Sequence, residues 1–237
     1  MNPAPRFEEK FVLDPFLYRQ VVSGLSGYMK KDDFSLAGEN GRYFVGSLYY
    51  DTSYYKAYIE KITGERNRVK LRIRSYYPRY EDAGFVSVEL KTREGRQIIK
   101  FGTHAPIEAY DHYMATGSWG DTDDPVLIEF ERIARLQCQR PKLVVEYERE
   151  VFVPLEPSKL RISFDHAMCY CRADTLFPEN PIYRWQTESP IILEIKTPDD
   201  GPRWLQQLVR DLSLKSQPHS KYANAVEQTQ ADMWIAR

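Results

Sequence analysis

Lys70-Leu71-Arg72-Ile73-Arg74 places a cation at every second position with aliphatic residues between. Strand side chains alternate faces, so this stretch predicts a strand with Lys70, Arg72 and Arg74 on one side and Val69, Leu71 and Ile73 on the other. Val88-Glu89-Leu90-Lys91 repeats the pattern with mixed charge. A single strand of this kind is ordinary, with charges in water and aliphatics in the core. Here it recurs along the chain: Arg6, Glu8 and Lys10; Glu89, Lys91 and Arg93; Lys100; Arg161, Ser163 and Asp165; Glu194 and Lys196. Each apolar side needs a cover, which outer helices can supply. The charged sides then line the inside of a closed sheet, because about eight strands can enclose a ligand. Crowded cations need counter-charge. Glu8, Glu89, Asp165 and Glu194 supply part of it, and an anion of high charge density would supply the rest. Phosphate suits Arg and Lys for that role.

Working outward, eight strands are expected, near residues 6–13, 42–50, 68–77, 85–92, 96–101, 142–153, 160–167 and 191–196. Glu94-Gly95 marks a hairpin turn. Asp14-Pro15 opens a helix to about Met29. Asp51-Thr52-Ser53 groups capping residue types before a short helix, so Asp51 reads as a cap as readily as a site residue. Further helices are expected near 106–116, 125–137, 201–214 and 222–235. The last carries Tyr222, Ala225, Val226, Thr229 and Met233 on one stripe. In the long strand, Glu146, Glu148 and Glu150 share one face and Val145, Tyr147 and Arg149 the other, so parity alone leaves its orientation open. There is no regular strand-helix-strand alternation, which argues against a doubly wound parallel sheet. No repeat or linker breaks the 237 residues, and one domain is expected.

The composition narrows the function. The 33 Lys+Arg against 34 Asp+Glu give a net charge of -1, without the basic excess of a nucleic-acid binder. Any cationic site must come from sorting charges in space. Cys138, Cys169 and Cys171 form no C-x-x-C pair, and reduced thiols are expected. Met1 to Arg6 lacks an apolar signal core, and no stretch is apolar and long enough to span a membrane, so a cytoplasmic location is expected. His104, His112, His166 and His219 are scattered without metal-ligand spacing. Phosphate-loop, dinucleotide-binding and nucleophile-elbow motifs are absent. In Asp165-His166 the two side chains should face opposite ways.

From about Arg6 to about Asn224 the chain resembles the VTC domain, the polyphosphate polymerase branch of the triphosphate tunnel metalloenzymes. The resemblance rests on ordered motifs: Arg6-Phe7-Glu8-Glu9-Lys10-Phe11, Tyr50-Asp51-Thr52, Leu71-Arg72-Ile73-Arg74, Glu89-Leu90-Lys91-Thr92 with Lys100, Tyr147-Glu148-Arg149, Arg161-Ile162-Ser163-Phe164-Asp165, Leu193-Glu194-Ile195-Lys196 and Ser220-Lys221-Tyr222. It implies an α+β fold: a closed eight-stranded antiparallel β tunnel with helices outside and a C-terminal helix at the tunnel. It implies that Arg149 faces in while Glu146 and Glu148 do not.

It further implies an ATP-dependent polyphosphate polymerase, with ATP and inorganic polyphosphate as partners. Lys10, Arg72, Arg74, Lys91, Lys100, Arg149, Arg161 and Lys221 would be the catalytic cations. Glu8, Lys70, Glu89, Asp165, Lys196 and Ser220 would complete the substrate site, and Glu194 would bind Mn²⁺ or Mg²⁺. No nucleic acid and no direct membrane insertion are expected, and a membrane-protein partner is compatible. Triphosphatase relatives open with Glu-x-Glu-x-Lys, where this chain has Arg6-x-Glu8-x-Lys10. Fewer carboxylates mean fewer hard-metal ligands, which favours transfer between phosphates over hydrolysis. A triphosphate hydrolase and a non-catalytic polyphosphate-binding module are the alternatives.

Overall fold

The computed structural model describes residues 7–95, 97–186 and 190–234, and no side-chain detail at 94, 97, 98 and 230–234. Arg6, Arg96, Ile235 and the Met233 side chain, all assigned above, lie outside the described residues. The chain forms two compact units, each drawing on three separate segments.

The first unit takes the described parts of Met1–Phe44, Tyr147–Met168 and Trp185–Ser220. It contains β1 (Phe7–Leu13), α1 (Pro15–Leu25), β2 (Met29–Lys31), α2 (Asp33–Ala37), β10 (Ile191–Thr197) and α6 (Arg203–Asp211), with most of β8 (Arg161–Arg172) and part of β7 (Arg140–Pro154). Strand β10 lies antiparallel between β1 and β8, with Lys10 opposite Glu194 and Glu194 opposite Ser163. The apolar sides hold Phe11, Leu13, Ile162, Phe164, Leu193 and Ile195, covered by Val21, Leu25 and Leu205. Asp14 caps α1 by accepting from the Phe16 and Leu17 amides, both at 2.8 Å. Gly24 lets α6 approach α1, because a Cβ there would sit 2.5 Å from Leu208 Cδ1.

The second unit takes Val45–Glu146, Cys169–Arg184 and the described part of Lys221–Arg237. It contains most of β3 (Tyr43–Asp51), then α3 (Lys56–Ile62), β4 (Arg68–Ser75), β5 (Phe85–Glu94), β6 (Gln97–Pro106), α4 (Ile107–Thr116), α5 (Pro125–Leu136) and α7 (Lys221–Trp234). Strands β3 to β6 are antiparallel neighbours in chain order. Their apolar side carries Leu48, Leu71, Ile73, Val86, Val88 and Leu90, and Phe130, Ile133, Tyr110 and Tyr113 from α5 and α4 pack over it. Their charged side is thereby directed away from this core.

The hydrogen-bonded order is β1-β10-β8-β7-β3-β4-β5-β6, with β2 on β7 and β9 (Arg184–Trp185) on β8. This α+β antiparallel sheet has ten strands, not eight, and its pairing does not close among the described residues. The expectation of a closed eight-stranded tunnel is corrected accordingly. Alternation shows which side of a strand is polar, but not whether the last strand bonds to the first. The two added strands span three and two residues, too short for a period of two to register. Met29 lies in β2 instead of ending α1. No helix among the described residues is long and apolar enough to cross a membrane.

Candidate functional site

In the second unit the charged faces of four strands come into register. Tyr49 pairs with Arg72 and Ser47 with Arg74; Arg72 pairs with Glu89, and Lys70 with Lys91; Lys91 pairs with Lys100. Glu89 is buried and takes three cations: Arg72 Nε on Oε2, Lys100 Nζ at 2.9 Å and Arg74 Nη1 at 3.9 Å on Oε1. Burial would raise the Glu89 carboxyl, but the charges of Arg72, Arg74 and Lys100 outweigh it and hold it well below the usual carboxylate range. Burial depresses the Lys100 ammonium; Glu89 opposes that shift, while the neighbouring Arg72 and Arg74 add to it. Tyr49 accepts a hydrogen bond from Arg72 at 3.2 Å, and Ser47 accepts one from Arg74 at 3.1 Å. Burial would raise the Tyr49 phenol, yet Arg72, Arg74 and Lys221 draw it below its ordinary value.

Lys221 begins α7 and is buried. Its position is set through Asp51, at the end of β3. One Asp51 carboxylate accepts from the Ala57 amide at 2.9 Å, the Tyr58 amide at 3.1 Å and the Tyr222 hydroxyl. Asp51 is therefore a cap for α3, and it also ties the first turn of α7 to that helix. The Tyr222 ring stacks on Tyr49 with centroids 5.3 Å apart and carries Lys70 Nζ over its face at 5.5 Å.

In the first unit the cations are more evenly matched. Lys10 lies 3.0 Å from Glu8 and 3.3 Å from Glu194, and donates to the His219 carbonyl at 3.1 Å. Lys196 reaches Glu194 at 3.0 Å. Arg149 binds Asp165 through two hydrogen bonds of 2.6 and 2.8 Å and lies 3.7 Å from Glu194. Burial would lower the Arg149 guanidinium, but Asp165, Tyr147 and Glu194 secure its charge. Arg161 is exposed and pairs with Asp32 at 3.3 Å.

Behind this face, Glu150 is buried with Lys31 at 2.8 Å, the Tyr18 hydroxyl at 2.7 Å and His166 Nε2 at 3.4 Å. Burial raises that carboxyl, and the nearby His166 and Lys31 together with the hydrogen bond from Tyr18 overcome the effect, leaving it at about 2. Asp165 and His166 thus face opposite ways, as adjacent strand residues must. The open orientation of the long strand is also settled. Arg149 joins the charged face, Glu148 is exposed beside Arg42, and Glu146 accepts from the Tyr183 hydroxyl at 2.6 Å.

The sequence-selected residues therefore fall into two groups, each inside one unit. Glu8, Lys10, Arg149, Arg161, Asp165, Glu194 and Lys196 share the first, where Ser220 is half-buried. Lys70, Arg72, Arg74, Glu89, Lys91 and Lys100 share one sheet face in the second, with Lys221 beside Tyr49. Sequence reading missed Tyr49, Ser47 and the His219 carbonyl. Cross-strand register finds the first two, and parity within one strand does not. Among the described residues, no three His, Cys, Asp or Glu side chains cluster as a ready metal cage. Glu194, with Glu8 across Lys10, suits a hard cation that takes one or two carboxylates and fills its shell from phosphate oxygens and water.

A family model for the VTC domain matches residues 5–230. The chain belongs to the VTC domain family. No curated protein matches it. Solved structures similar to this VTC domain include two proteins described as candidate adenylate cyclases. The one from Bacillus halodurans has a TM-score of 0.56 at 12% identity, over 93% of this chain and 96% of that one. The one from Vibrio parahaemolyticus has a TM-score of 0.51 at 11% identity, over 94% and 98%. A Pyrococcus horikoshii protein gives 0.50 at 14%, over 96% and 99%. At such identities the likeness is one of fold.

Proposed function

We propose that this VTC domain is a polyphosphate polymerase, transferring the terminal phosphoryl group of ATP to the end of an inorganic polyphosphate chain. One observation carries the reading: in the second unit Arg72, Arg74 and Lys100 converge on a single buried carboxylate, Glu89, beside a row of three lysines in register. Several cations thus gather around one buried carboxylate, which suits a ligand with several phosphates. In this reading Lys70, Arg72, Arg74, Lys91, Lys100 and Lys221 bind phosphoryl oxygens, and so do Lys10, Arg149, Arg161 and Lys196 in the first unit. Glu8, Glu89 and Asp165 hold the cations in place, and Ser220 adds a hydroxyl in the first unit. The family match spans both units, and one domain remains part of the proposal.

Phosphoryl transfer needs mainly positioning and charge stabilisation. An anionic oxygen at the chain end attacks the γ-phosphorus, the bond to the β-γ bridging oxygen breaks, and ADP leaves. The nucleophile carries no proton to remove, so no general base is required. The arginines and lysines hold the donor and chain-end oxygens and stabilise charge on the transferring group. Mn²⁺ or Mg²⁺, held by Glu194, would neutralise phosphate charge. The carboxylates of both clusters bind cations in preference to presenting a free base to water, which supports transfer over hydrolysis.

The test is product analysis. Purified protein with ATP and Mn²⁺, with and without a polyphosphate primer, is expected to yield long chains on a gel together with ADP. Orthophosphate as the sole product would replace this reading with a hydrolase. Intact ATP with bound polyphosphate would replace it with a binding module.

A further inference from the structure

The charged side of β4 to β6 continues past the residues assigned so far. Arg68 lies directly opposite Arg93, one row outside Lys70, Lys91 and Lys100. On β4, Arg68, Lys70, Arg72 and Arg74 share one face, about 20 Å from end to end at 3.3 Å per residue. The face is graded: Arg74 and Glu89 are buried, Arg72, Lys70, Arg68 and Arg93 are half-buried, and Lys91 and Lys100 are exposed. Like charges directly across an antiparallel pair destabilise the sheet, and here two successive rows are cationic. Among the described residues, the hydrogen bonds of the outer pair go to neutral oxygens: Arg68 donates to the Glu60 carbonyl at 3.3 Å and Arg93 to the Gly95 carbonyl at 2.9 Å. The Glu60 carboxylate offsets only part of this, being itself paired with Lys56 at 3.7 Å.

We propose that Arg68 and Arg93 form an outer subsite for a linear chain of repeating phosphates, continuing the row of Lys70, Lys91 and Lys100 toward the β5–β6 turn. This rests on the phosphate-binding reading of the inner cations and adds a chain-length preference to it. A short phosphate oligomer fills the inner positions, where Arg72, Arg74 and Lys100 stand. A long chain extends over the outer arginines as well, and relieves the repulsion between them.

The experiment compares binding of tripolyphosphate and long-chain polyphosphate to the wild type and to the double variant R68Q/R93Q. Long-chain binding is expected to weaken at least about tenfold, with tripolyphosphate affinity unchanged within about twofold. The salt dependence of long-chain binding should become shallower by about 1.5–2 in log-log slope, because two phosphate-contacting cations are removed. Equal effects on both ligands, or none, would overturn the outer subsite while leaving the proposed function standing. A wild type that binds neither ligand would instead sink the function reading, and the subsite with it. R93E is the second variant. It turns the like pair into an opposite pair, so it should melt higher than wild type and still lose long-chain affinity. Arg132, exposed on α5 and paired with Glu129, is the charge control. If R132Q weakens long-chain binding as much as R68Q/R93Q, net charge explains the effect and the subsite is rejected.

Discussion

The two cationic clusters use the same residue types in different proportion. In the first unit, Lys10, Arg149, Lys196 and Arg161 meet Glu8, Glu194, Asp165 and Asp32, close to one carboxylate for each cation. In the second, Arg72, Arg74 and Lys100 converge on Glu89, and the adjoining rows set Lys70, Lys91 and Lys100, then Arg68 and Arg93, against one another. The balanced cluster can hold its shape without a ligand. The unbalanced cluster accumulates repulsion, so a polyanion should stabilise it more.

The largest test of this contrast is R74A. Arg74 is buried beside Arg72 and Lys100, so its loss should cut activity at least about a hundredfold, as removal of one charge-stabilising donor does. The ligand-free melting temperature should hold or rise, because crowding is relieved. A clear fall in melting temperature would break the contrast. E89Q comes next and should act in opposite senses on fold and ligand. Without the Glu89 carboxylate, the ligand-free fold should lose about 1–3 kcal/mol, while long-chain polyphosphate binds more tightly. Chemical unfolding and binding titrations read the two effects separately.

The smallest effect belongs to the first unit and is read against pH. Glu150 is held at about 2 in the fold against an ordinary value of 4.5. A depressed folded value means that the carboxylate stabilises the fold above pH 4.5 and loses that contribution as pH falls toward 2. Wild-type stability should therefore decline across that window, and E150Q should flatten the decline. An unchanged slope would remove Glu150 from the account.

Much of this was legible in the chain. Val69-Lys70-Leu71-Arg72-Ile73-Arg74 is half-buried by alternation, and a period of two both identifies the strand and sorts its faces. The β5–β6 hairpin was readable for the same reason. Three stretches were not. The Glu146-x-Glu148-x-Glu150 series has equally plausible faces by parity, and tertiary surroundings decide: Tyr18, Lys31 and His166 make burial of Glu150 tolerable. Strand β8 runs on to Arg172 past Ala167, whose φ of 49° is unusual for a residue with a side chain. The expected strand stopped there because Asp165-His166-Ala167 interrupts the alternation. The double duty of Asp51 was half visible. Capping chemistry pointed to α3, but its bond to Tyr222 joins residues 171 apart in sequence, which no local pattern reveals. Tyr49 was hidden likewise, since register with Arg72 emerges only when strands pair.

The antiparallel bond between β1 and β10, with Phe7 opposite Thr197 and Leu13 opposite Ile191, sets a schedule for synthesis. Strand β1 leaves the ribosome well before its partner β10 has been made. At about 5–20 residues per second, that is a delay on the order of ten seconds or more. Through that interval Phe11 and Leu13 lack the β10 side of their sheet, and a nascent-chain chaperone would find an apolar target there.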